Sequence, residues 1–271
     1  MPENSHASES QHWYDRDGNP VYEVMRADNS GMRSATLADA RKMNLVPGFT
    51  SIKDCAARPQ LESWKQKKAI LSALTATRRN SETDEELIKR VLYESQEQSR
   101  KAAEKGIILH SVIGDIVSNA RVVSASDEQF ALEIAASLEN VEFTCGKISW
   151  QAERSFAHPI GFGGKIDLIG IGWLIDIKTK EFDNSTKRLA WDEHCMQLAA
   201  YRHGINVPLL RCANLFISTS IPGLVRMHVW EETELSRGWQ MFSALLSYWK
   251  AKTGYDTSFT DPGDSLAPGV A

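Results

Sequence analysis

Asp167, Asp176 and Lys178 stand in a segment that is otherwise mostly typical of buried β-strands. Residues 163–179 read Gly-Gly-Lys-Ile-Asp-Leu-Ile-Gly-Ile-Gly-Trp-Leu-Ile-Asp-Ile-Lys-Thr, a pattern that predicts two short strands joined at a glycine-containing turn. Asp176 and Lys178 are two residues apart, so their side chains leave the same face of the second strand. A two-residue turn at Ile171-Gly172 pairs Gly170 with Trp173 and, counting back, brings Asp167 opposite Asp176.

Two carboxylates at opposing positions of a covered sheet repel each other. Cross-strand neighbours lie roughly 4.5–5.5 Å apart, and charged groups in such a place are rare unless they are paired or bind a metal. A divalent cation between Asp167 and Asp176, with the Lys178 ammonium beside it, removes the conflict and is suited to phosphodiester hydrolysis. Two alternatives stay open. Asp176 and Lys178 form an ordinary exposed pair with Asp167 at a solvent-facing edge, or a three-residue turn places Asp167 opposite Ile175.

Four further positions are candidates for the same site. Gln197 and Tyr201 are four residues apart on a predicted helix and share a face, where they could hold a phosphate; such pairs are more often simply at the surface. His110 lies in a mostly apolar helix and is either a core histidine or a metal ligand, better matched to Mn²⁺ or Zn²⁺ than to Mg²⁺. Glu153, on the strand before the hairpin, adds a carboxylate or faces solvent.

The elements that position these residues can be read from hydrophobic spacing and turn signals. We predict a small hairpin turning at Asp17-Gly18-Asn19 and two disordered termini, residues 1–12 and the tail after Gly254. The predicted helices span residues 36–43, 50–75, 82–104, 107–120, 127–138, 190–203 and 231–252. The predicted strands span 147–156, 164–170, 173–179, 211–219 and 224–230, and in the first of them Ile148, Trp150, Ala152 and Phe156 share one parity. Helices followed by a sheet that one helix interrupts predict a mixed α/β fold.

Composition bounds the class of protein. The 271 residues are 42% hydrophobic and 24% charged, with a formal net charge of -4 and a pI near 6.0, so a nucleic-acid contact requires a local basic patch. The cysteines Cys55, Cys145, Cys195 and Cys212 include no CxxC pair, which disfavours a zinc ribbon or a disulfide framework. Without an apolar leader or a membrane-length apolar run, we expect a cytoplasmic protein with no membrane association, in the host cytoplasm if a phage encodes it.

Four motifs occur in order: a histidine in a helix (His110), Gly-x-x-Asp (Gly164 to Asp167), Asp-x-Lys-Thr (Asp176 to Thr179) and Gln-x-x-x-Tyr (Gln197 to Tyr201). This set resembles the RecB-like branch of the PD-(D/E)XK nucleases. The Pro-Gly-Phe-Thr-Ser-Ile segment at 47–52, followed by Trp64-Lys65, is similar to the start of the phage-type and mitochondrial-genome-maintenance-type exonucleases of that branch. The resemblance covers residues 47–250.

The resemblance implies a restriction-endonuclease-like core, with a central mixed β-sheet flanked by helices and an N-terminal helical lobe. It divides the chain into an extension (1–46), a DNA-gripping helical lobe (47–105), a nuclease core (106–252) and a disordered tail (253–271). Asp167, Asp176, His110 and the Ile177 carbonyl are implied ligands of Mg²⁺ or Mn²⁺. Lys178 is the implied group beside the attacking water, Gln197 and Tyr201 hold the substrate strand, and Glu153 matches a recurrent acidic position.

DNA contacts are expected from a group of cations in the helical lobe and from the end of the second hairpin strand. A chain that is acidic overall concentrates positive charge around Trp64, which is available to stack on a base. The predicted DNA-binding residues are Ser51, Arg58, Trp64, Lys65, Lys67, Lys68, Thr179 and Lys180, and Arg78 and Arg79 belong to the same basic group. For any one of the cations, a solvated helix face is the ordinary alternative.

The function that the resemblance implies is exonucleolytic hydrolysis of linear DNA, single- or double-stranded, of the phage end-processing kind. A flap or junction endonuclease and a catalytically silent nucleic-acid-binding module are the alternatives. A single-strand annealing or single-strand-binding protein is an expected partner. Gly161-Phe-Gly-Gly-Lys165 has the wrong spacing for a P-loop, so we expect no ATP. Members of the resembled family that hold an iron–sulfur cluster carry a cysteine group near the C-terminus; this chain lacks that group, so the resemblance implies no cluster.

Overall fold

The computed structural model describes residues 12–57, 59–120, 122, 124–207 and 209–260. Of the segment 1–12 predicted to be disordered, only His12 is among them, and residues 261–271 of the predicted tail lie outside them as well. In these ranges no helix is long and apolar enough to span a membrane. All four cysteines are free thiols.

The N-terminal segment forms small β-structures and one capped helix. The predicted hairpin is confirmed: the turn between β1 (Trp13–Tyr14) and β2 (Pro20–Val21) is held by the Asp15 carboxylate, which accepts the Asn19 N–H at 2.8 Å. The helix predicted at 36–43 is also confirmed, because Thr36 and Asp39 cap each other's backbone at its start. The remaining elements here are β3 (Glu23–Met25), β4 (Met32–Ser34), α1 (Leu37–Met43) and β5 (Val46–Pro47).

Four of the predicted helices are corrected. Residues 50–75 form two helices, α2 (Phe49–Lys53) and α3 (Pro59–Thr75), since a proline disfavours helical geometry in the residue before it and suits a helix start. The helices predicted at 82–104 and 107–120 are one, α4 (Asp84–Val117), which runs through Gly106. The helix predicted at 127–138 is a 3₁₀ turn (Ala125–Phe130) followed by α5 (Ala131–Cys145).

The predicted α/β fold, with a central mixed sheet flanked by helices, is confirmed. The elements here are β6 (Trp150–His158), β7 (Phe162–Gly170), β8 (Trp173–Lys180), α6 (Asp192–Gly204), β9 (Arg211–Ser218), β10 (Val225–Val229) and α7 (Glu232–Thr253). The five strands lie in the order β10-β9-β8-β7-β6, antiparallel except for the parallel pair β8 and β9. The helix α6 connects that parallel pair, as the pattern of strand, helix and strand requires.

A hydrophobic core covers each face of the sheet. On one face, α4 and α5 pack on β8 and β9 through residues such as Ile113, Ile175 and Leu215. On the other face, α6 and α7, together with the N-terminal segment, pack around Leu174 and Phe242. Along β8 the two cores alternate, so Ile175 and Ile177 face α4 whereas Leu174, Asp176 and Lys178 face α6.

The alternation along β6 reverses at Glu153, which corrects the predicted parity. Ala152 belongs to the core under α4, whereas Phe156 belongs to the core under α6, although an even spacing keeps two residues on one face of a regular strand. Glu153 has a positive φ of 57° in the middle of the strand, a left-handed conformation that reverses the pleat. The register places Glu153 opposite Asp167, because Ala152 pairs with Leu168 and Arg154 with Ile166.

The residues immediately after α7 are packed, which corrects the predicted start of the tail. Gly254 ends the helix with a left-handed φ of 62°. The buried Thr257 hydroxyl donates to the Gly161 carbonyl at 2.6 Å, and the Phe259 N–H donates to the Pro159 carbonyl at 2.9 Å. Residues 254–260 therefore cover the turn between β6 and β7.

Candidate active site

The β7–β8 hairpin opens at the two aspartates. The turn is Ile171-Gly172 and Gly170 pairs with Trp173, as predicted, but the ladder stops at Leu168–Ile175, one residue short of the predicted Asp167–Asp176 pair. In place of a further ladder bond, the Asp167 carboxylate accepts the Ile177 N–H at 2.7 Å. We call this opening, bounded by Asp167 on β7 and by Asp176 and Ile177 on β8, the strand fork.

Asp176 and Lys178 share a face of β8, as their spacing predicts. Lys178 Nζ lies 2.7 Å from Asp176 Oδ1. The Asp176 side chain is only 2% exposed and that of Lys178 is 29% exposed, so the ammonium separates a buried carboxylate from solvent. The alternative of an ordinary exposed pair does not fit this burial.

The second oxygen of Asp176 is held by a pair of buried residues that the sequence did not suggest. Asn214, beside Asp176 in the parallel register of β9, donates from Nδ2 to Asp176 Oδ2 at 2.6 Å. Trp230 Nε1 donates to Asn214 Oδ1 at 2.7 Å. Because an indole N–H can only donate, this bond sets the amide orientation and directs the Asn214 NH₂ toward Asp176.

His110 reaches the strand fork from α4. Its Nδ1 lies 3.5 Å from Asp167 Oδ2. His110 is midway between Gly106, which packs on Thr179 of β8, and Gly114, which packs on Ala152 of β6. The helix thus crosses from β8 to β6, and the residue between the two glycines lies over the fork.

Burial and repulsion raise the pKa of both carboxyl groups. Removal from water raises the pKa of Asp167 to about 6, although the Lys178 ammonium and the Ile177 N–H oppose the change. Burial also raises the pKa of Asp176, as does repulsion from Asp167, against the attraction of Lys178. Two buried groups that disfavour each other's charge are typical of functional sites.

The fork also has Gln197 and Tyr201 on its α6 side. Gln197 Nε2 donates to the Tyr201 hydroxyl at 3.1 Å, and the Tyr201 ring lies against Gly164 on β7. The pKa of the Tyr201 hydroxyl is raised by burial first and then by the negative charge of Asp176. Both residues therefore lie close to the carboxylates, on the face that Lys178 shares.

Glu153 adjoins the fork, but its side chain is directed to Lys165, with which it forms an ion pair. Its carboxylate is about 41% exposed, in contrast to the buried Asp176. The strained backbone of Glu153 lies opposite Asp167 at the reversal of the pleat.

The predicted DNA-binding residues fall into two groups. Thr179 packs on Gly106 beneath α4, whereas the Lys180 ammonium lies 5.9 Å from the Trp191 ring on the α6 face. Lys65, Lys67 and Lys68 lie on α3, which packs against α4, and Lys65 pairs with Glu62 at 3.0 Å. The Ser51 hydroxyl on α2 is buried and has no hydrogen-bond partner within the described ranges. Arg58 and the side chain of Trp64 lie outside the described residues.

The donor set of the fork fits Mg²⁺ or Mn²⁺ in kind. Asp167 and Asp176 supply the carboxylate oxygens that such ions prefer, His110 supplies an imidazole that suits Mn²⁺, and the Ile177 carbonyl is adjacent. The mutual repulsion of the two aspartates is the conflict that a cation relieves. Asp176 Oδ1 contacts the Lys178 ammonium. In the described part of the chain, no three His, Cys, Asp or Glu side chains are placed so that they could bind one metal ion together.

Neither a protein-family model nor a curated protein matches this sequence. Fourteen chains of solved structures match it. SSO0001 does so with a TM-score of 0.31 and 14% identity, over 77% of this chain and 96% of its own. Two structures of LHK-Exo, an alkaline exonuclease from Laribacter hongkongensis, each match with a TM-score of 0.26. The structure in complex with dAMP is 14% identical over 69% of this chain and 91% of its own. The other is 16% identical over 71% of this chain and 98% of its own. Likeness at these TM-scores carries no conclusion about activity.

Proposed function

We propose that this protein is a Mg²⁺- or Mn²⁺-dependent deoxyribonuclease that hydrolyses phosphodiester bonds from the ends of linear DNA. The observation that supports this most is the strand fork, where Asp167 and Asp176 meet with Lys178 and His110 around them. Folding two mutually repelling carboxylates into a covered sheet destabilises the metal-free protein, and a function that needs the cluster explains its presence.

The residues of the fork divide the chemistry between them. Asp167, Asp176, His110 and the Ile177 carbonyl would hold the cation, which lowers the pKa of bound water and neutralises charge on the phosphate. Lys178 lies beside Asp176 Oδ1, where its ammonium can stabilise the negative charge that develops on the phosphate oxygens. Gln197 and Tyr201 present an amide and a hydroxyl on the same side, where they can orient the substrate strand.

The proposal includes the finer expectations from the sequence. The chain acts without ATP and without an iron–sulfur cluster. The helix α3, with Lys65, Lys67 and Lys68, contacts the phosphate backbone through electrostatic attraction. A single-strand annealing or single-strand-binding protein receives the strand that digestion exposes.

Cleavage of labelled DNA tests the proposal. Linear single-stranded and double-stranded DNA, end-labelled, and a covalently closed circle are incubated with the protein in Mg²⁺, in Mn²⁺ and in chelator. We expect metal-dependent loss of the linear substrates and an intact circle. Asp176→Asn should abolish cleavage, and Lys178→Met should slow it by about 100- to 1,000-fold, the usual effect of removing one group that stabilises transition-state charge.

Lys147→Met is the matched control, because Lys147 is exposed and pairs only peripherally with Glu142 at 3.2 Å. It should cleave like the wild type, and thermal unfolding should show that all three variants are folded. Full cleavage by Asp176→Asn or by Lys178→Met would place the chemistry elsewhere. Cutting of the closed circle would replace the exonuclease with an endonuclease.

A further inference from the structure

The connection from β8 to α6 has no regular secondary structure, yet it is held firmly. Arg226 on β10 donates to three of its carbonyls, those of Thr186 at 2.6 Å and of Asp183 and Asn184 at 3.1 Å. The Ser218 hydroxyl donates to the Phe182 carbonyl at 2.6 Å. Side chains at the end of this connection are therefore presented from a fixed backbone.

That connection ends at Trp191, a half-buried residue with two cations on its ring. Arg188 Cζ lies 4.3 Å from the ring centroid and Lys180 Nζ lies 5.9 Å from it. His194 Nδ1 accepts the Trp191 backbone N–H at 3.0 Å, which anchors the residue where α6 begins. Arg188 is exposed, and its Nε donates to the Ala190 carbonyl at 3.1 Å, which keeps the guanidinium beside the Trp191 ring.

A row of side chains on one face of β8 leads from the strand fork to Trp191. Asp176, Lys178 and Lys180 occupy alternate positions of β8 and so leave the same face. Four residues of strand span about 13 Å. The row therefore leads from the buried carboxylate, past the Lys178 ammonium, to the Lys180 ammonium and the indole ring.

A third lysine reaches the same place from α2. Burial, followed by repulsion from Lys178, Lys180 and Lys53, lowers the pKa of His194, whose Nδ1 accepts the Trp191 N–H, to about 3. Two carboxylates are near: Glu193 lies 4.0 Å from Lys53, the lysine on α2, and Asp192 lies 2.9 Å from Arg237 on α7.

From this arrangement we infer that Lys53, Lys178, Lys180, Arg188 and Trp191 form a binding site for an unpaired nucleic-acid strand, in which a base stacks at Trp191. We call these five residues the Trp191 corner. An aromatic ring with cations that track a backbone is the combination that single strands bind, because every base has a π-face that a duplex keeps covered by its neighbours. One part of the inference rests on the proposed nuclease function, namely that the strand bound at the corner is the one that enters or leaves the fork.

Binding in Ca²⁺ buffer tests the Trp191 corner. Fluorescence anisotropy is measured with a labelled oligothymidine and with a duplex of matched length whose two ends are closed by hairpins. Trp191→Leu should weaken oligothymidine binding by about 5- to 100-fold, the range expected from losing one base–aromatic stack, and should leave the closed duplex unchanged. Trp191→Phe should stay within a few-fold of the wild type, because it keeps a stacking ring.

The arginine is tested by salt dependence. Arg188→Gln should weaken oligothymidine binding and lower the slope of log affinity against log salt by about 0.7, as loss of one phosphate contact predicts for single strands. Arg237→Gln is the control, because Arg237 lies nearby on α7 and pairs with Asp192, outside the corner. Thermal unfolding confirms that each variant is folded.

Two results would overturn the inference: Trp191→Leu binding oligothymidine as tightly as the wild type, or losing both ligands equally with an unchanged melting temperature. The cleavage assay separates this inference from the proposed function. Binding that depends on Trp191 in a protein that cleaves nothing in Mn²⁺ would refute the nuclease and leave the corner standing. Cleavage by a protein whose oligothymidine binding does not depend on Trp191 would refute the corner and leave the nuclease standing.

Discussion

Replacing Gly106 by alanine tests how the helix α4 positions His110. A Cβ built on Gly106 falls closer than 3.0 Å to Thr179 Oγ1, a separation that real Cβ contacts essentially never show, while Thr179 Cβ and Cγ2 lie at 3.5 and 3.7 Å. Rotation of Thr179 is restricted because it is β-branched and lies in a strand. The helix must therefore move away from β8.

The size of the effect follows from that geometry. Ordinary non-bonded separations of about 3.5–4.0 Å require α4 to shift by roughly 1 Å. Overpacking costs about 1–3 kcal/mol of unfolding free energy, and the better helix propensity of alanine offsets about 1 kcal/mol of it, so net destabilisation should not exceed about 2 kcal/mol. Activity should fall much further, on the order of 100-fold, because a catalytic group displaced by 1 Å loses alignment.

The matched control is on the same helix face. A Cβ on Gly114 meets Ala152 Cβ at 3.4 Å, an ordinary contact, so Gly114→Ala should keep full activity and gain up to about 1 kcal/mol. The assays are DNA cleavage in Mn²⁺ and urea unfolding. The double variant Gly106→Ala/Thr179→Ala should recover the activity of Thr179→Ala alone, since the clashing oxygen is gone. Full activity in Gly106→Ala, or no recovery in the double variant, would refute the reasoning.

Three further predictions concern residues around the fork. Glu153→Gly should cleave DNA at a rate within a few-fold of the wild type. It should be about 1 kcal/mol more stable than Glu153→Ala, because glycine accepts the positive φ without strain. A loss of activity as large as in Asp176→Asn would instead show that the Glu153 carboxylate is catalytic. Asn214→Leu should weaken Mn²⁺ binding, measured by calorimetry without DNA, by about 10- to 100-fold, whereas unchanged affinity would mean that Asp176 needs no such support. In chelator, stability should fall as pH rises from about 4 through about 6, because the folded pKa of Asp167 lies above its ordinary 3.8. Asp167→Asn should reduce that fall of stability, measured by urea unfolding, and be more stable than the wild type at pH 8 by up to about 3 kcal/mol, and an unaltered profile would contradict the sign.

Local signals predicted the turn of the β7–β8 hairpin and two small N-terminal elements well. The Ile171-Gly172 turn, the Asp17-Gly18-Asn19 hairpin and the short helix at 36–43 depend on residues only a few positions apart, so their chemistry is visible in the chain. The helix α4 was divided wrongly at Gly106, because glycine weakens a helix by only about 1 kcal/mol, and its contact with Thr179 on a distant strand outweighs that signal.

The support of the site was beyond sequence reasoning for a similar reason. Asn214 and Trp230 are separated from Asp176 by 38 and 54 positions, and a lone asparagine in an apolar strand has no pattern that marks its partner. The reversal at Glu153 also has no local mark, since glutamate is an unusual residue for a positive φ. A polar residue inside the run of apolar residues 212–217 was the only available signal at Asn214.

The amino-acid order by itself determined the kinds of group available and their faces: two aspartates and a lysine on a hairpin, an imidazole on a helix, and an amide and a phenol one helical turn apart. Whether these groups meet was decided by the tertiary structure, through a ladder that ends at Leu168–Ile175, a helix that approaches the sheet at two glycines, and a buried asparagine that orients one carboxylate. The physical reason is that spacing along a strand or helix follows from backbone geometry alone, whereas the distance between elements depends on the packing of residues far apart in the chain.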